Sequence, residues 1–345
     1  MADARTLTIA VFHEPSGWSL EDRYVDRLRD AAGEGVEVRR ATGSVQFSEM
    51  LGETTHLLGL PASEDQMLGA APPRGGLQWV QLTQSVGDAS PAVAAAMRSG
   101  VQVCSSATVR APAIAEHGVT LLGALARRLG DAMGAQAEHR WASAELARSA
   151  RLISDMRVGV VAFGPVAASM VALLRAYGAT VVCADPTDAR PFIGPDASAD
   201  LDAERMPITE LVAACDALIV ACPRIPSNTG AIAKHELARI KRGAMIVDLA
   251  GGGVISEPAL LDALRRDRVS AAALDAFERE PLAVGSPWWT MPNVVVTPRL
   301  SGAGHGYWDR SIDWFAENIR RVFHGEECID RLPDAWVEDA ALARR

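Results

Sequence analysis

The sequence has no uninterrupted apolar run long enough to span a bilayer, no internal repeat and no low-complexity linker. These absences exclude a membrane-spanning helix and a repeat architecture. Positive charge is not in excess either: 34 Lys and Arg stand against 43 Asp and Glu, a formal −9 with a pI of about 5.3. That balance argues against nucleic acid or an anionic membrane as a main partner. The opening stretch MADARTLTIAVFHEP lacks the basic flank and long apolar core of a signal peptide. Cys104, Cys183, Cys215, Cys222 and Cys328 have no metal-ligand spacing, and several lie in apolar runs where small buried thiols are common. An odd count without a leader points to a reducing, cytoplasmic setting and to no metal.

What is present is alternation. At 345 residues the chain is long enough for two domains with substantial cores. Strands are expected at Thr6–Phe12, Val36–Arg39, Thr55–Leu60, Gln78–Leu82 and Val101–Cys104, with helices at Tyr24–Ala32 and Pro91–Ser99. A long Ala- and Leu-rich helix is expected from about Pro112 to Leu129. The polar stretch Ala132–Ala150 reads as a segment crossing between domains. Further strands are expected at Val158–Phe163, Thr180–Ala184, Ala217–Ala221, Ala244–Leu249, Ala271–Leu274 and Val294–Thr297, and an amphipathic helix at Tyr307–Phe323. This pattern is α/β with doubly wound parallel sheets.

The most informative stretch is residues 158–186. An apolar run ends at Gly164, and Pro165 stands where a helix begins, a position that tolerates a missing N–H. Val166, Met170, Leu173, Leu174 and Tyr177 recur at helical spacing, Gly178 ends the run, and Thr180–Cys183 leads to Asp185. This is a βαβ unit suited to a dinucleotide. The fingerprint G-x-G-x-x-G is only partly kept: Ala162 and Ala167 replace its outer glycines, and Gly164 keeps the middle one, where backbone must approach a pyrophosphate. Asp185 lies 21 residues beyond Gly164, near the spacing for an acid on the ribose hydroxyls. Its carboxylate would repel a 2′-phosphate, which favours NAD over NADP, although Arg190 is nearby. Gly164, Pro165, Val166 and Asp185 are the cofactor residues expected from this motif.

Several ordered blocks carry a family resemblance: LQWVQLTQSVGD (77–88), IAEH (114–117), CADP (183–186), ACPRIPSNTGAI (221–232), RGAMIVDLAGGGVISEPALLDAL (242–264), LDAFEREPL (274–282) and SPWWTMPNVVVTP (286–298). With them the chain resembles the D-2-hydroxyacid dehydrogenases, the group of phosphoglycerate dehydrogenases and glyoxylate/hydroxypyruvate reductases. The resemblance implies two Rossmann-like domains with a cleft between them. Residues 1–117 with 300–345 would form a flavodoxin-like substrate domain, and 118–299 an NAD-binding domain. It also implies a homodimer, and hydride transfer between NAD(H) and a small 2-hydroxy or 2-oxo acid. By the same resemblance Cys222, Pro223, Thr229, Leu249, Ala250 and Asp275 line the cofactor. Ser85, Val86 and Gly87 match the loop that contacts the substrate carboxylate.

The resemblance breaks where chemistry is expected. The family uses an arginine to grip the substrate, a histidine to move the proton and a glutamate to orient that histidine. Here the arginine position is Gly251 and the histidine position is Arg299; Glu280 alone is kept. Arg299 is a poor proton shuttle because guanidinium stays charged. It either binds an anion, polarises a carbonyl, or pairs with Glu280. Gly251-Gly252-Gly253 reads most simply as a turn. His305, between glycines, is a candidate substitute acid/base, and Arg110 a candidate carboxylate holder. His117 reads as hydrogen-bonded structure, Trp288-Trp289 as core packing and Arg265–Arg268 as a solvated helix end. The expected catalytic residues are therefore Glu280, Arg299 and His305, with Ser85, Val86, Gly87 and Arg110 on the substrate. The leading expectation is an NAD-dependent oxidoreductase. The alternatives are a silent NAD(H)-binding sensor or interaction protein, and a non-redox enzyme that uses NAD transiently.

Overall fold

The computed structural model describes residues 5–59, 64–83, 91–162, 164–184, 203–222, 228–250, 252–304 and 306–332. Ser85, Val86, Gly87, Asp185, Pro223, Gly251 and His305 lie outside the described residues. The chain divides into two compact units, Met1–Arg110 with Gly304–Arg345, and Ala111–Ala303.

The first unit runs β1 (Arg5–Ala10), β2 (Phe12–His13), β3 (Trp18–Ser19), α1 (Asp22–Ala32), β4 (Val36–Ala41), α2 (Ser44–Leu51), β5 (His56–Gly59), α3 (Glu64–Ala70), β6 (Trp79–Gln81), α4 (Pro91–Arg98) and β7 (Gln102–Cys104). Five strands pair in parallel in the order β4-β1-β5-β6-β7. That is the flavodoxin-like order of a doubly wound sheet. β1 and β5 are buried almost throughout, as strands covered on both faces must be. The short antiparallel hairpin β2-β3 stands apart from this sheet.

The helix α5 (Ala107–Ala126) carries the boundary between the units. It begins earlier than the sequence suggests, with Pro112 inside it. Its first turn is capped from far along the chain: Thr108 N and Oγ1 each donate to the Asp330 carboxylate at 2.8 Å. This bond satisfies an orphan amide of the first turn, and Pro112 has no N–H to lose.

The second unit continues with α6 (Leu129–Ala137), α7 (Ser143–Ser149), β8 (Arg157–Val161), α8 (Gly164–Ala176), β9 (Thr180–Ala184), β10 (Glu204–Met206), α9 (Ile208–Ala214), β11 (Ala217–Val220), α10 (Lys234–Arg239), β12 (Ala244–Asp248), α11 (Glu257–Arg265), β13 (Val269–Leu274) and β14 (Val294–Val296). The strands form a seven-stranded parallel sheet, β10-β9-β8-β11-β12-β13-β14. Strand order reverses between β8 and β11, the place where open α/β sheets bind ligands at their carboxyl ends. The final helix α12 (Tyr307–Phe323) returns to the first unit and packs Ile312, Phe315 and Ile319 against Leu7, Ile9 and Leu28.

The α/β class and the parallel sheets match expectation, and several local readings are corrected. Residues 132–150 are not a plain crossing segment but form most of α6 and α7 within the second unit. Tyr177 follows the end of α8 and is exposed rather than part of its buried face. β10 escaped the periodicity reading because Glu204 and Arg205 place charges on an edge strand. Trp289 is exposed, so of the pair only Trp288 packs in the core. Cys104 and Cys328 are joined by a disulfide within the first unit, against the expectation of a uniformly reduced set. Cys183, Cys215 and Cys222 are free and buried.

Candidate active site and dinucleotide loops

In the second unit, β8 ends at Val161, and α8 opens at Gly164 with φ +56°. That is the left-handed region, open to glycine and costly for a branched side chain. Val166 and Ala167 turn into the core, which seats the helix start against the sheet. A helix N-terminus of this kind offers backbone N–H groups to an anion. Gly252 has φ +80°, and a Cβ there would lie 2.3 Å from Glu278 N, so this turn too requires glycine. Leu249 is half-buried, with its amide donating to Val220 O at 2.8 Å, and Ala250 is buried. Thr229 is exposed. Cys222 is turned into the core, where its thiol accepts from Asn228 Nδ2 at 3.7 Å and burial pushes its pKa up to about 12.

Asp275 organises the loop after β14. Its Oδ1 accepts from Thr297 Oγ1 at 2.6 Å and Leu300 N at 2.7 Å, and its Oδ2 from Ser301 N at 2.9 Å. His117 Nε2 lies 3.3 Å from both Asp275 Oδ1 and Thr297 Oγ1. Burial alone would raise the pKa of Asp275, but the donors from His117, Thr297, Ser301 and Leu300 outweigh it and hold the group at about 2. Arg299 sits in the middle of this loop at φ +55°, its own N–H donating to Asp275 O at 2.9 Å.

The Arg299 guanidinium pairs with Glu280 through Nε and Oε2. Glu280 is itself fixed, Oε1 accepting from Phe277 N at 3.0 Å. Of the readings left open for Arg299, the ion pair is therefore formed. The pair is partly exposed, with side-chain exposures of 47% and 31%, which leaves the guanidinium accessible to a second anion. Beside it, Glu257 holds the same segment: Oε1 accepts from Glu278 N at 2.6 Å and Oε2 from Trp288 Nε1 at 3.4 Å.

Asp248, at the end of β12, accepts from Ala250 N at 2.9 Å. Burial, with the charges of Glu257 and Asp275, pushes it up to about 7. Two buried carboxyls on adjacent strands are thus driven in opposite directions, a pattern common at functional sites.

In the first unit, Arg110 donates from Nε and Nη2 to Thr83 O at 3.2 and 3.0 Å, and Tyr307 Oη donates to the same oxygen at 2.6 Å. Thr83 leads directly into residues 84–90, which include Ser85–Gly87. The structure thus brings together Glu280, Arg299 and Asp275 in one unit, and anchors Arg110 at the root of the expected substrate loop in the other. Sequence reading missed Thr297, Glu257, Asp248 and Tyr307. Asp248 carried a usable signal, an acid ending a wholly apolar strand; the others are defined only by partners far away in sequence.

The family model described as "D-isomer specific 2-hydroxyacid dehydrogenase, NAD binding domain" matches residues 119–301. The chain belongs to that family. Among its relatives, D-3-phosphoglycerate dehydrogenase of Mycobacterium leprae is 32% identical over 327 residues, 94% of this chain and 59% of that protein. The enzyme of the same name from Mycobacterium tuberculosis is 35% identical over 243 residues, 70% of this chain and 44% of that protein. The chain thus spans about half the length of the curated relatives it matches. A D-isomer specific 2-hydroxyacid dehydrogenase from Xanthobacter autotrophicus Py2, solved with NADPH and MES, has a TM-score of 0.75 at 25% identity, covering 97% of this chain and 100% of that one. A glyoxylate reductase from Paecilomyes thermophila has a TM-score of 0.76 at 18% identity over 96% of this chain and 99% of that one, a likeness of fold. The residues of this family member fit a dinucleotide: Gly164 opens α8 at the point where strand order reverses, and Gly252 keeps the neighbouring turn tight.

Proposed function

We propose that this 2-hydroxyacid dehydrogenase family member is an NAD-dependent oxidoreductase with an altered active site, acting between a small 2-hydroxy acid and its 2-oxo acid. The observation that carries this reading is the helix start at Gly164, placed where the strand order of a parallel sheet reverses. The α8 amides after Gly164 would hold the pyrophosphate, with Pro165 and Val166 shaping the turn and Asp185 on the ribose. Leu249 and Ala250, with the backbone around Cys222, Pro223 and Thr229, would line the remainder. When bound, the nicotinamide supplies or accepts hydride.

The chain's own residues then have distinct tasks. Arg110 and the Ser85–Val86–Gly87 loop hold the substrate carboxylate, a role suited to guanidinium and to backbone N–H. Arg299 polarises the carbonyl and Glu280 fixes Arg299. Asp275 and Thr297 are positioning residues, because they set the loop that carries Arg299. The proton comes from water or from His305, since guanidinium does not titrate. The test is NADH oxidation with a panel of 2-oxo acids. Turnover is expected to be slowed by on the order of 10²–10⁴ relative to a site with a dedicated acid/base, and consumption by no member of the panel overturns the reading.

A second reading is favoured by one observation, the engagement of Arg299 by Glu280. It is a silent NAD(H)-binding sensor, marked by tight NADH binding without substrate-linked oxidation. We further propose a homodimer formed through α6, α7 and the residues around them. Met133 and Trp141 are 70% and 94% exposed, and Leu129 and Leu152 are also exposed. Among the described residues no helix is long and apolar enough to cross a membrane. We assign the cytoplasm as the compartment on the charge balance and the three buried free thiols; the Cys104–Cys328 bond stands against a permanently reducing setting.

A further inference from the structure

The sequence from Arg265 to Arg268 reads as a solvated helix end, and the structure places a cleft there. The cleft has a volume of about 550 Å³, within the size range of small-molecule sites. It lies wholly in the second unit, where the end of α11 meets the starts of β13 and β14: Ser270 is the second residue of β13, and Asn293 directly precedes β14. These are the amino ends of the parallel strands, whereas Gly164 and Gly252 follow the carboxyl ends of β8 and β12. About a strand's length, roughly 17–20 Å, therefore separates the cleft from the dinucleotide loops.

Part of the lining is carbon, and the rest carries both signs of charge. Leu264 is buried and lines the cleft with Met291 and Pro292. α11 ends in a turn in which Asp267 N donates to Leu264 O at 3.2 Å and Arg268 N to Ala263 O at 2.9 Å. This turn satisfies the last helix carbonyls and puts Asp267 at φ +53°, a position usually given to glycine. Here it carries a carboxylate instead. Arg266 pairs with Asp262, and Arg268 donates to Ala238 O. Arg265 and Asp267 are exposed, and their side chains make no hydrogen bond or ion pair among the described residues. Arg128 also lines the cleft, but its Nε is 2.8 Å from Asp131 Oδ2, so its charge is already met. Ser270 Oγ donates to Gly243 O at 2.9 Å and Asn293 Nδ2 to Ser270 O at 3.3 Å, which leaves the hydroxyl and carboxamide oxygens as acceptors.

The complementary ligand carries both charges. A lone anion would meet Asp267 and the acceptor oxygens, and a lone cation would meet Arg265; like charges brought together disfavour each. A carboxylate suits the guanidinium fork. An ammonium group suits the carboxylate, hydroxyl and carboxamide oxygens. An aliphatic body suits Leu264, Met291 and Pro292. We propose that this cleft binds a small zwitterion, an α-amino acid with an aliphatic side chain, at a site separate from that of hydride transfer. Arg265 takes its carboxylate and Asp267 its ammonium group. No bond is made or broken there, and the site stands independently of the dehydrogenase reading.

The test is calorimetric titration of the full chain with three probes: leucine, 4-methylpentanoate, which lacks the ammonium group, and 3-methylbutylamine, which lacks the carboxylate. Leucine is expected to bind saturably, and each analogue roughly tenfold or more weaker, the loss for one hydrogen bond to a charged group. Two variants probe the protein side, with circular dichroism confirming that each is folded. Arg265→Gln keeps a good helix former, and Asp267→Asn keeps a residue that tolerates the left-handed turn. Each is expected to weaken leucine roughly tenfold or more. Failure of leucine to bind the wild type overturns the site. Leucine binding left unchanged by either variant also overturns it, as does an analogue that binds as tightly as leucine.

Discussion

Asp248 and Asp275 are both buried carboxyls at the ends of neighbouring strands, and their environments give them opposite effects on stability. Asp275 is held at about 2 against an ordinary value of 3.8, so its charged form is favoured by folding. Its contribution is complete above pH 4 and is lost as pH falls towards 2, amounting to roughly 2 kcal/mol. Asp248 is raised to about 7, so folding favours its protonated form. It costs nothing below pH 4, and the cost grows as pH rises towards 7 and levels off above it. Asp275→Asn should therefore destabilise the protein at pH 7, while Asp248→Asn should stabilise it there, on the order of 3 kcal/mol, and change little at pH 4. Urea unfolding of both variants at the two pH values checks this; a destabilising Asp248→Asn at pH 7 contradicts it. This contrast was only half legible in the sequence. The acid ending β12 is visible in MIVDLAGG, but the donors that depress Asp275 arrive from His117 on α5 and from the loop at 297–301, and no local pattern announces them.

Among the elements, the sheets were the most legible, because parallel strands covered on both faces are continuous apolar runs with glycine or polar boundaries. The start of α5 was the least legible. Its first turn is satisfied by Asp330, 222 residues away, and a reading that looks for caps among near neighbours places the start at Pro112 instead. Burial raises the pKa of Asp330, with the Thr108 donors opposing, so this cap is a largely desolvated one. Asp330→Ala should cost about 1–2 kcal/mol through loss of the cap and, because Arg110 lies in the same first turn two residues after Thr108, should also weaken binding of a 2-oxo acid. Chemical denaturation and substrate titration of the variant measure the two effects. Unchanged stability would mean that the start of α5 is held by other contacts.

At the scale of the whole molecule, fold and family are readable because many blocks agree in order, whereas the chemistry is not, because the residues that depart from the family pattern, Gly251 and Arg299, sit where the catalytic groups are expected. The structure adds that Arg299 is held by Glu280 and carried on a loop anchored to Asp275. The proposed dimer is checked by Trp141→Glu, which puts a charge on a 94% exposed ring and should convert the sedimentation of a dimer into that of a monomer. A wild type that sediments as a monomer excludes the dimer outright. The most direct test of the central claim is calorimetric titration of NADH into the wild type and into Gly164→Val. The account predicts saturable binding to the wild type, weakened roughly tenfold or more when a branched side chain is forced into the left-handed turn at φ +56°. Failure of both NADH and NAD+ to bind the folded wild type, or equal binding by a folded Gly164→Val, would contradict it.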